Sequence, residues 1–596
     1  MSSDFKLVNI TDSTIEDITS ELTLPVICGA NSNTFQTFNA QASGGTNQIQ
    51  FNVQVPSLST IVSRHFLCQS TFRITLNIAG GVTAGYWAAN EVLYDYGVSN
   101  SLGVFPLNAL VTTMMSNLNN ATVSVNSREV LAGLLKLCNY EDLARYNSMT
   151  PSLVDSFYQK YVDGLGSNNN TLANYSVGSY AKEFQPRGAY PVSLLEIDGT
   201  PINGLKVVAS DAGTAPFASF MIEFNVTEPL MFLSPFISGN SNNQAGFLGL
   251  NNLTLTLNLG TADRAISNSS YADLNGQQGK ITKTISSVSL DSYSDAKLML
   301  NFLTPPPMLY DKIESKNIVN YNQYTSYNYS INSPFNAGTN MTYSFNNVQL
   351  NQVPNKILIF ARPQNMDSYT SNFFYVIKSL SINFSNKSGL LSSASPIQLY
   401  DMSVRNGLQM SYYEYSGSGV SNNSAGLSGV VPTIGSIAVI DPAIDLSIDA
   451  QLSNMSGGQF NMQFNVELQN QTADSENITL YLVTVNSGIF ITENGSSSFV
   501  TGMLNQEMVL DTKSKTPITD KETYEKRIVG GSVENLGAIH KHVKQQYSHA
   551  TEHENNVDGQ GAGENAGVMS GGFMNAGAMS GGKAMKPMQR RVHKFL

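Results

Sequence analysis

Ile49-Gln50-Phe51-Asn52-Val53-Gln54-Val55 alternates apolar and polar residues without interruption. Successive side chains of a strand point to opposite faces, so this stretch predicts a strand that buries Ile49, Phe51, Val53 and Val55 together. The same period of two recurs at residues 72–78, 253–259, 380–384 and 460–466. Two shorter runs, residues 357–360 and 480–485, are almost wholly apolar and fit strands buried on both faces. Between them lie Asn/Gly/Ser clusters, such as 164–170 and 239–246, that read as turns and long loops. The span from 46 to 510 is therefore expected to be all-β.

Helical patterns are few. Residues 107, 110, 111, 114, 115 and 118 are apolar at helical spacing, which predicts a helix over 107–119. Ser127 as an N-cap, followed by Glu129 and an apolar run to Leu137, predicts a second, and 152–162 a third. These helices are expected as a small insertion in a sheet protein. Pro305, Pro306 and Pro307 cannot donate to a ladder, so a sheet must end before them. That divides the β region into 46–303 and 304–510, each the size of one eight-stranded sandwich with elaborated loops. No sequence repeat relates the two halves. Residues 1–45 are polar and read either as a disordered terminus or as a strap reaching a neighbour. Residues 511–596 form a low-complexity tail without the apolar density for a core.

The chain has 596 residues, 41% hydrophobic and only 13% charged, with a net charge of −11. Few charges on a polar surface suit a β-protein with many turns, or one that buries much of its outside against its own copies. The polar start shows no secretory leader, and no apolar run is long enough to span a membrane. Cys28, Cys68 and Cys138 are few, odd in number and without CxxC spacing, which predicts reduced thiols.

Signs of enzyme chemistry are weak. His65 is the only histidine before residue 540, so the β body holds no His-based triad or multi-His metal site, and His65 reads as structural. No phosphate-loop, HExxH or GxSxG element occurs. Glu141-Asp142 is a carboxylate pair, but a glycosidase needs two acids facing one cleft. The expectation is no catalytic residue, no cofactor, no metal and no small-molecule substrate. A non-enzymatic viral fibre or adhesin fits the same composition, but its short repeats are absent.

Several stretches resemble the major capsid proteins of virophages and polinton-like viruses. They are 105–107 with 119–126, then Pro186-Arg187-Gly188-Ala189-Tyr190, the prolines at 305–307, and 389–395 with Leu399-Tyr400-Asp401-Met402-Ser403-Val404-Arg405-Asn406-Gly407. Their order spreads over most of residues 50–500. The resemblance implies two tandem jelly rolls, a homotrimer that forms a pseudo-hexameric tile against neighbouring capsomers, and an icosahedral virion assembled inside the host cell. A penton protein, a maturation protease and a packaging ATPase are implied partners.

The tail adds to that picture. Proteases of such viruses recognise patterns similar to (Met/Ile/Leu)-x-Gly-Gly and cut after the second Gly. The tail carries this pattern ending at Gly531, Gly572 and Gly582. It also occurs at 78–81 and 455–458, where turns of the body are expected. Lys583, Lys586, Arg590, Arg591 and Lys594 follow, with no acid after Glu564. They read as a solvated tail or as a contact for packaged DNA or anionic lipid.

Overall fold

The computed structural model describes residues between Ser32 and Asn505, excluding 43, 46, 83–90, 97–99, 157–186, 198, 205, 211–216, 232–234, 236–245, 269–270, 273–280, 306–315, 365–371, 423–427, 447–455, 473–474, 494 and 502–503. Strands β1 to β28 follow in chain order. The first half is built on two facing sheets. One runs β1 (Ser32–Asn39), β16 (Ile281–Thr304), β4 (Leu67–Val82), β12 (Phe217–Pro229), β9 (Ser193–Ile197) and β10 (Thr200–Gly204), with β3 (Ile61–Val62) and β15 (Tyr271–Ala272) also on β16. The other runs β2 (Gln48–Gln54), β13 (Asn252–Leu259), β7 (Val111–Leu118) and β8 (Ala121–Val125). Two ribbons complete it, β5 (Glu91–Asp95) with β11 (Lys206–Ser210) and β6 (Asn100–Leu102) with β14 (Ile266–Asn268).

The second half repeats the plan. One sheet runs β17 (Lys316–Phe335), β26 (Glu476–Glu493), β19 (Lys356–Pro363) and β24 (Ala438–Ile440), with β27 (Ser496–Thr501) on β26. Its partner runs β18 (Asn340–Gln352), β25 (Ser456–Gln469), β20 (Val376–Phe384) and β21 (Lys387–Leu390), with β28 (Leu504–Asn505) on β25. A ribbon joins β22 (Ser418–Asn422) to β23 (Ser428–Pro432). Taking the eight principal strands of each half in chain order, one sheet reads 1-8-3-6 and the other 2-7-4-5, in both halves. Two sheets so interleaved form an eight-stranded jelly roll.

Register explains the burial. Ile49, Phe51 and Val53 of β2 stand opposite Leu257, Leu255 and Leu253 of β13, and all six are fully buried. Each such side chain contributes roughly 1.5–3 kcal/mol by leaving water. Consecutive residues are buried at 357–361 of β19 and 480–485 of β26, as expected where a sheet is covered on both faces. β16 ends at Thr304, immediately before the prolines.

Several expectations need correction. Residues 32–39, expected in the arm, are β1, paired along its length with β16. Its middle residues are exposed, so no buried period marks it in the sequence. The helix expected over 107–119 is only α1 (Pro106–Leu110); the rest is β7. Between Val111 and Thr113 the pairing with β13 slips by one residue, which leaves Thr112 as a bulge. Val111 and Met114 are thereby both buried, three positions apart, and imitate a helical face. The second helix is α2 (Ser127–Leu135), capped one residue earlier at Asn126, because the Ser127 hydroxyl donates instead to the Val111 carbonyl at 2.9 Å. α3 (Tyr140–Ala144) follows. Residues 151–156 are not helical, and the remainder of the third expected helix lies outside the described residues. Residues 78–81 belong to β4 and 456–458 to β25; they are paired strand, not turns. The second roll places α4 (Pro396–Arg405), α5 (Tyr412–Tyr415) and α6 (Pro442–Asp445) after β21, β21 and β24 respectively. In both rolls, then, helices fill the connection between the fifth and sixth principal strands.

Candidate assembly site: the seam between the rolls

The helical insertion of the first roll lies against the second, and a close approach fixes it there. A Cβ on Gly133 of α2 would stand 2.8 Å from the Phe360 ring of β19. That ring is stacked on Tyr481 and meets Phe374 edge-on, so it has nowhere to retreat. Glycine lets helix and sheet touch.

Beyond α2 the chain crosses the second roll through polar contacts. Gln409 N–H donates to the Lys136 carbonyl at 2.8 Å, and Ile434 N–H to the Ser156 carbonyl at 3.1 Å. The buried Lys136 ammonium donates to the Asp155 carbonyl at 2.7 Å and lies 3.6 Å from the Glu414 carboxylate. Asp155 and Arg187 form a buried ion pair, with side chains 2% and 0% exposed. The other Asp155 oxygen accepts from Asn372 N–H of the second roll at 3.1 Å. Asp155 therefore ties the short 3-10 turn Arg187–Ala189 to the neighbouring roll. Tyr190 anchors that turn by donating to the Asn225 carbonyl at 2.6 Å and the Met149 carbonyl at 2.9 Å.

Burial pushes the Lys136 ammonium below its ordinary range, and Glu414 and Asp155 oppose that only in part. Burial alone would raise Glu414. The Lys136 charge and hydrogen bonds from Ser411 and Ser156 outweigh it and hold the carboxyl below its ordinary value. We read the pair as charged, because Glu414 also accepts from Ser411 N–H and Oγ at 3.0 and 3.1 Å.

A second contact zone forms at the β7–β8 turn. Asn119 adopts the left-handed conformation, φ 55°, that Asn tolerates in tight hairpins. Its side chain donates to Ser497 Oγ at 2.8 Å and accepts from Asn251 N–H at 2.8 Å; Ser497 N–H in turn donates to Asn120 Oδ1 at 2.8 Å. Beside it the Phe247 and Phe490 rings meet edge-on at 5.3 Å.

The 105–107 segment is held inside the first roll. Glu228 of β12, wholly buried, accepts from Leu107 N–H, Asn108 N–H, Asn108 Nδ2 and Thr150 Oγ1 at 2.7–2.9 Å. It thus takes up the open donors of the first turn of α1. Burial raises its pKa, and those hydrogen bonds offset part of the rise.

The residues singled out for chemistry are not brought together. His65 lies exposed between β3 and β4. Glu141 and Asp142 sit on the first turn of α3, where Asp142 pairs with Arg145 at 3.2 Å, and they do not face each other across a cleft. Among the described residues no His, Cys, Asp and Glu cluster could hold a metal ion. None of the helices described is long and apolar enough to cross a membrane. Cys68 and Cys138 are free thiols; burial raises both, Cys138 to about 12. Cys28, Gly531, Gly572, Gly582, Lys583, Lys586, Arg590, Arg591 and Lys594 lie outside the described residues.

Residues 3–303 match the first domain of the Sputnik virophage major capsid protein, and 321–488 match the C-terminal domain of major capsid protein V20. The chain belongs to the virophage major capsid protein family. This capsid protein is 27% identical over 535 residues to the putative capsid protein V20 of Sputnik virophage, covering 86% of this chain and 82% of the relative. Its fold is similar to the Sputnik virophage cryo-EM structure, with a TM-score of 0.67 at 22% identity over 85% of this chain and 95% of that one. It is also similar to the mavirus major capsid protein, with a TM-score of 0.59 at 16% identity over 82% and 93%. Both likenesses agree with the double jelly roll. The capsid protein is a structural component of the virion that assembles with other capsid subunits.

α4 escaped detection in the sequence although its signal was there. Ser395, Pro396 at the first helical position and Gln398 three residues after the cap form a start signature, and the Gln398 side chain accepts from Ser395 N–H at 2.9 Å.

Proposed function

We propose that three copies of this chain associate into a six-lobed, pseudo-hexameric tile, and that such tiles cover an icosahedral shell. The observation that carries this reading is the repeated 1-8-3-6 and 2-7-4-5 strand order within one polypeptide. Two rolls of one topology, fastened along the seam, present six similar lobes from three chains. Ile397, Val404, Tyr412 and Ile444 of the second roll and Phe35 of the first remain exposed in the single chain. Apolar side chains left on the surface favour contact with neighbouring copies. The protein acts without catalysis, and a separate penton protein closes the vertices. Low charge limits repulsion between identical copies.

The organisation we infer is an arm, two rolls divided near 303/304, and a tail from 511. A maturation protease cuts the tail after Gly531, Gly572 or Gly582, and the basic residues Lys583, Lys586, Arg590, Arg591 and Lys594 touch packaged DNA before removal. Three Gly-Gly motifs in a low-complexity segment support this, because an extended chain threads a protease cleft and paired strand does not. The test combines mass measurement with truncation. Purified soluble units should have the mass of three chains, and mature particles should contain a chain shorter than 64.5 kDa. Deleting 532–596 should leave trimers folded but impair shells. Monomers, an intact chain in particles, or normal shells from the truncated protein would each count against the corresponding part.

A further inference from the structure

The two rolls repeat more than their strand order. Between the fifth and sixth principal strands each carries a long helix followed by a short one: α2 and α3 in the first roll, α4 and α5 in the second. The first pair has a second partner within the chain. Through Gly133, α2 rests on Phe360 of β19, and Lys136 at its C-terminal end reaches Glu414. Seven of the nine α2 residues are buried as a result. α4 is seated on its own roll. Ser403 Oγ accepts from Val439 N–H of β24 at 3.0 Å, and Asn406 Nδ2 donates to the Val439 carbonyl at 2.9 Å. Of its ten residues, Leu399, Met402 and Ser403 alone are buried.

The other face of α4 is open. Ile397, Asp401 and Val404 are spaced four and then three residues apart, so they form one stripe along the helix. Ile397 is 59% and Val404 40% exposed, and between them Asp401 pairs with Arg405 at 3.2 Å in contact with water. Tyr412 of α5, also exposed, stands beside the helix with its ring edge-on to Tyr400 at 5.1 Å.

The surface that receives α2 has a counterpart as well. β19 is the third principal strand of the second roll, and its Leu358 and Phe360 side chains, which face Gly133, are buried. The third strand of the first roll is β4. Phe72, Ile74 and Leu76 fill its core face, so Thr71, Arg73 and Thr75 line the outer one. That face is not sealed. Thr71 and Thr75 are partly exposed, and the Arg73 side chain is 51% exposed while it pairs with Glu223 of β12 at 2.7 Å.

We propose that the open face of α4 docks on the outer face of β4 and β12 in a second copy of this chain, repeating between chains the seating that α2 makes within one. The sheet then covers Ile397 and Val404, and the Asp401–Arg405 and Arg73–Glu223 pairs exchange partners across the contact. The two surfaces differ, so the contact runs head to tail and three of them close a ring. This inference rests on the three-chain reading and adds to it which surfaces meet.

The experiment measures the mass of the full-length soluble unit by light scattering. Wild type should have the mass of three chains. Ile397→Glu combined with Val404→Glu should have the mass of one while keeping the wild-type circular dichroism, because both side chains already stand in water. A three-chain mass for that variant would overturn the proposal and leave the six-lobed reading intact; a wild type of single-chain mass would overturn both. A benzophenone side chain introduced at position 401 gives an independent answer should the variant fail to fold. In units assembled from isotopically light and heavy chains, irradiation should join light to heavy at peptides within 67–82 or 217–229. Cross-links confined to one chain, or made to the second roll of the other, would overturn the proposal.

Discussion

Replacing Asp155 with Ala removes a carboxylate paired with Arg187 and the acceptor for Asn372 N–H in one step. Both partners of the ion pair are essentially inaccessible, so water cannot substitute without opening the seam. Breaking a buried pair by deleting one partner costs about 3–5 kcal/mol, and an orphaned amide adds about 1–3 kcal/mol. The variant should therefore lose at least about 3 kcal/mol, a large share of the roughly 5–15 kcal/mol by which folded domains are stable. Asp155→Ala combined with Arg187→Met should recover most of this, since an apolar replacement of a buried pair is often neutral. Recovery should stop about 1–2 kcal/mol short of wild type, because the Asn372 amide still lacks its acceptor. Urea unfolding read by circular dichroism, with all four proteins in one double-mutant cycle, measures both quantities. If the single variant lost under 1 kcal/mol, or the double variant were worse than the single, Asp155 could not be the buried link between the rolls.

Three further outcomes follow from the same geometry. Gly133→Ala should gain up to about 1 kcal/mol of helix propensity but lose about 1–3 kcal/mol to the clash with the pinned Phe360 ring, so thermal unfolding should show a net loss. Glu228→Gln places an N–H₂ group where amides already donate, and should destabilise the first roll by roughly 1–3 kcal/mol in a urea titration. For Glu414, whose folded pKa lies below its ordinary 4.5, the stabilisation is present above that value and is lost as pH falls through the folded pKa. Wild type should therefore lose more stability than Glu414→Gln when acidified below about pH 4.5 in matched urea titrations.

The sheets were legible because burial imposed a period of two, as in β2, β13 and β25. The slip at Thr112 changed that period locally and turned a strand into an apparent helix. β1 escaped for the opposite reason: it pairs through its backbone while Asn33 to Thr37 stay exposed, so its side chains carry no pattern. The repeat between halves lives in strand order, which is set by pairing across hundreds of residues, and no residue-by-residue likeness was needed to preserve it. The seam was least visible. The sequence marked Arg187 and Asn119 as part of a resemblance, but Asp155, Asn372 and Glu414 become meaningful only once two distant segments meet. Glu228 likewise looks like any other acid until β12 carries it beneath α1.

An electron-microscopy reconstruction of the purified full-length protein bears most directly on the claim that one chain supplies two equivalent lobes. The account expects a compact three-fold particle whose outline carries six similar columns of density, with the α2 insertion at every boundary between rolls of the same chain. A slender rod, or a three-lobed particle in which the rolls of one chain separate, would contradict it.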